Sequence, residues 1–158
     1  MAGTNEYDPR YLAGIILFNR GDFFEAHEAW EAYWLSAEVG EHRRFVQGLI
    51  QAAVALHHLE TNNERGAKKL FATARNYMDA YPEVWLGLNR VEFWQQMERR
   101  FAEAFRGLKD EPDEHELGKH EPGKHEPGKH KPGSVLEIAL DPPPPHWPDP
   151  SEFLDEEE

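Results

Sequence analysis

The sequence predicts an all-α protein: a compact bundle of about five helices, built from two antiparallel helical hairpins, with a disordered or extended C-terminal tail. Three observations carry this expectation. Capping residues and helix stops punctuate the first hundred or so positions. No stretch sustains the two-residue alternation that a half-buried strand needs. From Glu111 the composition changes abruptly to His, Glu, Pro, Gly and Lys, which marks the end of the globular part. The expected domains are residues 1–107 as a helical bundle, 108–133 as a low-complexity linker, and 134–158 as an acidic, proline-rich tail docking on the bundle.

Each helix has its own signals. Asp8-Pro9 sets an N-cap before a proline at the first helical position and opens helix one, which runs to about Asn19. Gly21 ends it. Asp22, with Glu25 three residues on, has capping-box spacing and opens helix two, to about Ser36. Helix three is expected from roughly Glu41 to Leu59 and helix four from Asn63 to Ala80. After a turn at Pro82, Asn89 with Glu92 repeats the capping-box spacing and opens helix five, to about Phe105. The loops Asn19–Asp22 and Thr61–Gly66 are tight and polar, so each joins neighbouring antiparallel helices.

The chain has 158 residues with 9 Phe, 5 Trp and 5 Tyr, enough apolar surface for one domain with a real core. Trp30, Trp34, Trp85 and Trp94 are expected in that core. There is no cysteine, which excludes disulfides and thiolate metal sites. The start lacks the basic residues and apolar run of a signal peptide, and the run Leu49–Leu59 is too short to span a bilayer. A soluble, cytoplasmic protein is expected. The net charge of −13 is unevenly placed: residues 1–107 hold 12 basic against 15 acidic side chains, residues 108–158 hold 5 against 15. The bundle is therefore nearly neutral, with no basic footprint for nucleic acid or a membrane surface. A small molecule or a protein remains as partner.

The tail falls into two pieces. His115, His120, His125 and His130 head four copies of a five-residue unit whose fixed Pro and Gly forbid a helix. The expected role is a solvated spacer, with weak transition-metal binding by the four imidazoles as the alternative. Beyond it, Val135–Leu140 is apolar, Pro142–Pro145 enforce extended backbone, and Trp147, Phe153 and Leu154 are further anchors, the pattern of a strap lying on the bundle, with a free tail or one that binds a partner's groove as the alternatives.

Candidate chemistry concentrates in helix two. Phe23, His27, Trp30 and Trp34 fall on one stripe; Glu28 and Glu31 fall on the next, between Phe24 and Leu35. His27, Glu28 and Glu31 are spaced to converge on one patch, as when a helix supplies several ligands to a divalent metal. Helix three offers Gln47, Gln51 and His58 on one stripe, with Gly48 allowing close approach of helices two and three. Arg43 and Arg44 are alternative partners for the acids. Three uses stay open: a hydrogen-bonded network that fixes helix register, a ligand or metal site, and acid–base catalysis. His57 is expected in the core or an interface, and His42 facing solvent.

Phe18-Asn-Arg-Gly-Asp-Phe-Phe-Glu-Ala-His-Glu-Ala-Trp-Glu, then Trp34, then Phe45-Val-Gln-Gly-Leu-Ile-Gln51, with Asn63 and Gly66-Ala67, resembles the domain-of-unknown-function family 309 over about residues 10–80. The resemblance implies a compact helical bundle with His27, Glu28, Glu31, Gln47 and Gln51 in its motif. It brings no established activity, though some members carry a metal-dependent hydrolase label. The expected function is a small helical domain binding a ligand or partner at a polar cleft between helices two and three, centred on His27, Glu28 and Glu31 with Gln47, Gln51 and His58 opposite. The alternatives are a metal-dependent hydrolase using His27, Glu28 and Glu31, and a scaffolding bundle with an interaction tail.

Overall fold

The computed structural model describes residues 7–110 and 136–154. The His-Glu-Pro-Gly-Lys repeat, and with it the reading of its four histidines as metal ligands, lies outside the described residues. The described residues are all-α apart from one small hairpin, and the chain divides into two compact units, residues 1–91 with 137–158, and residues 92–136.

In the first unit, α1 (Pro9–Asn19) begins as its cap dictates: the Asp8 side chain accepts from the Arg10 backbone N–H, with proline in the first turn. Tyr11, Leu12, Ala13, Gly14, Ile15, Leu17 and Phe18 are all buried, so α1 is covered on nearly every side. One side is α2 (Phe23–Trp34), whose Phe23, Ala26, Ala29, Trp30 and Tyr33 are buried. Trp30 is fully buried, and its indole N–H donates to the Tyr11 carbonyl at 3.0 Å. Gly14 makes room for it, since a Cβ there would stand 2.5 Å or less from three atoms of the indole.

The α2 start differs from expectation. Asp22 makes no side-chain capping bond, so the capping-box spacing there is not used. A 3-10 turn over Ala37–His42, broken by Gly40 at φ 47°, delays α3 to Arg43–Glu60. α4 (Glu64–Met78) is capped by Asn63, whose Oδ1 accepts from Gly66 N–H. α1 packs on α2, α2 on α3 and α3 on α4, which gives two helical hairpins side by side. Gly48 serves a different contact from the one expected. Its missing Cβ leaves space for Met78 and for the Ala74 carbonyl, 3.0 Å from where that Cβ would be, so it brings α3 close to α4 rather than to α2.

Sequence reading also passed over a hairpin. β1 (Val84–Trp85) and β2 (Leu88–Asn89) pair antiparallel through Leu86 and Gly87, both at positive φ. Two-residue strands are too short to show any alternation. The Leu86 carbonyl accepts from the buried Tyr11 hydroxyl at 2.8 Å, which fastens the hairpin to α1. Arg90 secures its base by donating to the Glu83 and Tyr81 carbonyls and pairing with Asp79. Residues 137–154 complete this unit as an extended segment ending in a 3-10 turn, Pro150–Phe153, that packs on α1 and α2.

The second unit contains most of α5 (Arg90–Asp110), which extends beyond the expected end at Phe105. Phe93, Trp94, Met97 and Phe101 form its buried stripe, while Gln95, Glu98, Ala102 and Glu103 are exposed.

Candidate functional site

α2 and α3 run antiparallel, and aromatic contacts mark both ends of their seam. At one end the Phe24 ring lies 5.3 Å from that of His57 and 5.0 Å from that of His27. At the other, the Arg43 guanidinium sits over the Trp34 ring at 4.5 Å. Interpolation between these pairs puts Glu28 level with Gln51, and Glu31 level with Gly48 and Gln47. On α3 the half-buried residues Gln47, Ile50, Gln51, Val54, His57 and His58 follow the spacing of one continuous stripe. On α2 the outward residues are Phe24, Glu28, Glu31 and Leu35. Phe24 is 45% exposed and Leu35 68%, large apolar side chains at the two ends of a polar middle.

Within that middle the expected residues take different places. His27 is largely covered (side chain 18% exposed), and its Nδ1–H donates to the Phe24 carbonyl at 2.8 Å. Its Nε2 lies 3.9 Å from Glu31 Oε1, a long contact to a carboxylate that is half exposed. Glu31 therefore keeps much of its water and needs no buried counter-charge. Glu28 is half-buried and makes no ion pair or hydrogen bond among the described residues. Gln47 and Gln51 make no side-chain hydrogen bond there either, and Gln51 Oε1 is wholly enclosed with no partner. The expected Glu–Gln network is not formed. Trp34 Nε1 on the facing helix is likewise buried without an acceptor.

Other expectations are corrected as follows. His58 does not face the acids: its Nδ1 accepts from Asn63 Nδ2 at 3.3 Å, drawing it to the turn before α4. His57, expected in the core or an interface, is the histidine beside Phe24. Arg43 and Arg44 do not pair with the acids, because their guanidinium groups lie over the Trp34 and Tyr77 rings. His42 is not solvent-facing; its Nδ1 accepts from the Trp85 indole N–H at 3.0 Å. Of the four tryptophans, Trp30 and Trp94 are in the core, whereas Trp34 and Trp85 are half-buried.

The metal reading also fails on geometry. Among the described residues no group of three or more His, Asp or Glu side chains is arranged to hold a metal ion. His27, Glu28 and Glu31 thus do not make a three-ligand set. Neighbours in sequence on a helix point about 100° apart, and the His27 Nδ1 is already engaged by its own helix. No helix among the described residues is long and apolar enough to cross a membrane.

Comparison with known proteins agrees with the family resemblance. Residues 11–70 match the family described as Domain of unknown function (DUF309). The Uncharacterized protein YpuF of Bacillus subtilis (strain 168) is 36% identical over 75 residues, covering 47% of this chain and 43% of that protein. An uncharacterized protein of Aquifex aeolicus (strain VF5) is 31% identical over 93 residues, 59% of this chain and 26% of that protein. The chain thus spans less than half the length of these curated relatives. The family match ends within α4, so it contains the whole α2–α3 seam and the turn after it.

Proposed function

We propose that this domain is a binding module whose site is the groove along α2 and α3, and that it takes a helical segment of a protein partner. The observation that carries the reading is that two polar atoms, Trp34 Nε1 on α2 and Gln51 Oε1 on α3, are buried without hydrogen-bond partners. An orphaned buried polar group costs roughly 1–3 kcal/mol. Such groups call for an explanation, and a partner that supplies the missing donor or acceptor is the one adopted in this reading.

The dimensions favour a helix over a small molecule. Phe24 and Leu35 are eleven residues apart on α2, or roughly 16 Å at the helical rise. That matches three turns of a partner helix with an apolar anchor near each end. Between the anchors the groove presents the Glu28 and Glu31 carboxylates, and the half-buried Gln51 turns its enclosed amide oxygen outward to a donor on binding, so the partner's matching face carries Lys, Arg or other donors. His27 supports the site from beneath by fixing its ring on the Phe24 carbonyl.

The test uses synthetic amphipathic helical peptides with two apolar anchors eleven residues apart and basic residues between them. Their amide chemical-shift footprint on the full chain is expected on α2 and α3. The exposed double variant Phe24→Asp/Glu31→Lys is expected to stay folded and lose that footprint. Equal binding by the variant sinks the proposal.

A further inference from the structure

The strap at residues 137–154 is held in the manner in which proteins hold foreign extended peptides. Glu137 and Ala139 are exposed while Ile138 and Leu140 are buried, the alternation of a chain lying on a surface. Its main chain is read at successive points. Asn19, the last residue of α1, accepts from Ile138 N–H at 2.7 Å and donates to the Ile138 carbonyl at 3.0 Å, so one side-chain amide does the work of a neighbouring strand. Asp141 N–H donates to the Gly87 carbonyl at 2.9 Å, and the Tyr7 hydroxyl donates to the Pro142 carbonyl. A side chain at position 87 would collide with that hydroxyl, so Gly87 leaves the passage open. Burial and the Asp141 carboxylate push the Tyr7 hydroxyl above its ordinary pKa, consistent with the strap lying against it. Pro144 and Pro150 are buried further on, and the turn Pro150–Phe153 packs on α1 and α2.

Backbone bonds for affinity and alternate side chains for specificity are the two parts of extended-peptide recognition. The strap is joined to α5 only through residues 111–135, a sequence dominated by His, Glu, Pro, Gly and Lys. A connection of that length reaches at most on the order of 80 Å, far enough to span to another molecule. An identical groove on a second copy accepts an identical strap, because every contact named above is reproduced there.

We propose that the face formed by Asn19, Gly87 and Tyr7 beside α1 is a peptide-binding groove, and that its strap exchanges with the strap of a second copy of this chain. In a single molecule the strap is favoured by its tether, because a covalent link raises its effective concentration at its own groove. Exchange therefore dominates only at high protein concentration or after the tether is cut.

The experiment places a site for a sequence-specific protease within residues 119–124 of the full chain and uses a fluorescent synthetic peptide of residues 134–158 as probe. After cleavage, the C-terminal fragment is expected to stay with the bundle on gel filtration and to be displaced by the probe. The uncut chain is expected to bind the probe at least tenfold more weakly. A probe carrying Ile138→Ser and Leu140→Ser is expected not to bind, and Asn19→Ala in the cut protein is expected to weaken binding by on the order of tenfold. Concentrated uncut chain is expected to form dimers that cleavage converts to the monomer mass, since each bundle then keeps one strap without a covalent link. The proposal is overturned if the fragment leaves a still-folded bundle that ignores the probe, or if loss of the strap unfolds the bundle. It is equally overturned if concentrated chain forms no dimer, or dimers that survive cleavage.

Discussion

Gln51→Leu is expected to make the protein more stable. Gln51 Oε1 on α3 is fully enclosed with no donor, and relief of an orphaned acceptor amounts to roughly 1–3 kcal/mol. Leucine and glutamine have nearly equal helix propensity, so the α3 backbone contributes little to the difference. The leucine side chain also adds apolar contact beside Ile50 and Val54, which lie half-buried on the same stripe. For a chain of this size, 1 kcal/mol moves the melting temperature by roughly 2–4 °C. The net expectation is a rise of about 3 °C or more by circular dichroism or differential scanning calorimetry. The same substitution is expected to weaken binding of the basic amphipathic helices described above, because the partner's donor loses its acceptor. A gain in stability with loss of binding is the mark of a group kept for recognition. A drop in melting temperature refutes the reasoning, since it means that Gln51 makes a stabilising hydrogen bond within the folded chain.

Other substitutions probe the scaffold. Gly14→Ala drives a methyl group into the fully buried Trp30 indole and disturbs its bond to Tyr11, so a loss of about 3 kcal/mol is expected in chemical denaturation. Gly48→Ala meets the flexible Met78 side chain first, so a loss nearer 1 kcal/mol is expected, and equal losses at the two positions contradict the packing described. Asn63→Ala removes both the cap on Gly66 N–H and the bond to His58, for an expected loss of about 1 kcal/mol. Alkaline pH gives a further test. Burial raises the hydroxyls of Tyr7, Tyr11 and Tyr33, so the folded state favours their protonated forms. Their contribution is fully present below the unfolded tyrosine value of about 10 and is lost as pH rises through the folded values. Melting temperature is expected to fall above that point. The fall is expected to be shallower in Tyr11→Phe, and an unchanged slope counts against burial as the cause.

Much of the fold was legible where a local signal decided it. Asp8-Pro9 caps the helix that it announces, because an N-cap depends only on residues two or three away, whereas Asn63, expected as the first residue of helix four, is its cap. The same logic misled at Asp22, where the spacing is right but the side chain makes no capping bond. Glycine roles were not legible, because close approach depends on the partner helix: Gly48 faces Met78 and Gly14 faces Trp30, and no periodicity names either partner. The hairpin at Val84–Asn89 escaped because two residues per strand carry no pattern, and its turn uses Leu86 in a left-handed conformation that leucine seldom adopts.

The candidate site was legible in its helices but not in its wiring. The motif in α2 and the glutamines of α3 do lie along one seam, with Glu28 level with Gln51. What spacing could not supply was which groups bond to which. His27 turned back to its own helix, His58 turned to Asn63, and Arg43 settled on Trp34. Phe24 was read as an apolar neighbour of the acids and His57 as a core or interface residue, with no contact between the two expected. Only the antiparallel register brings the two rings together.

The central claim is that the α2–α3 groove binds a helix through Phe24, Leu35 and the acceptors between them. It is tested most directly by titrating isotope-labelled full chain with the two-anchor basic peptides and mapping amide shifts. The account predicts saturable shifts confined to α2 and α3, abolished in Phe24→Asp/Glu31→Lys while the rest of the spectrum is preserved. Shifts concentrated elsewhere, or no shifts with any peptide of the set, contradict it.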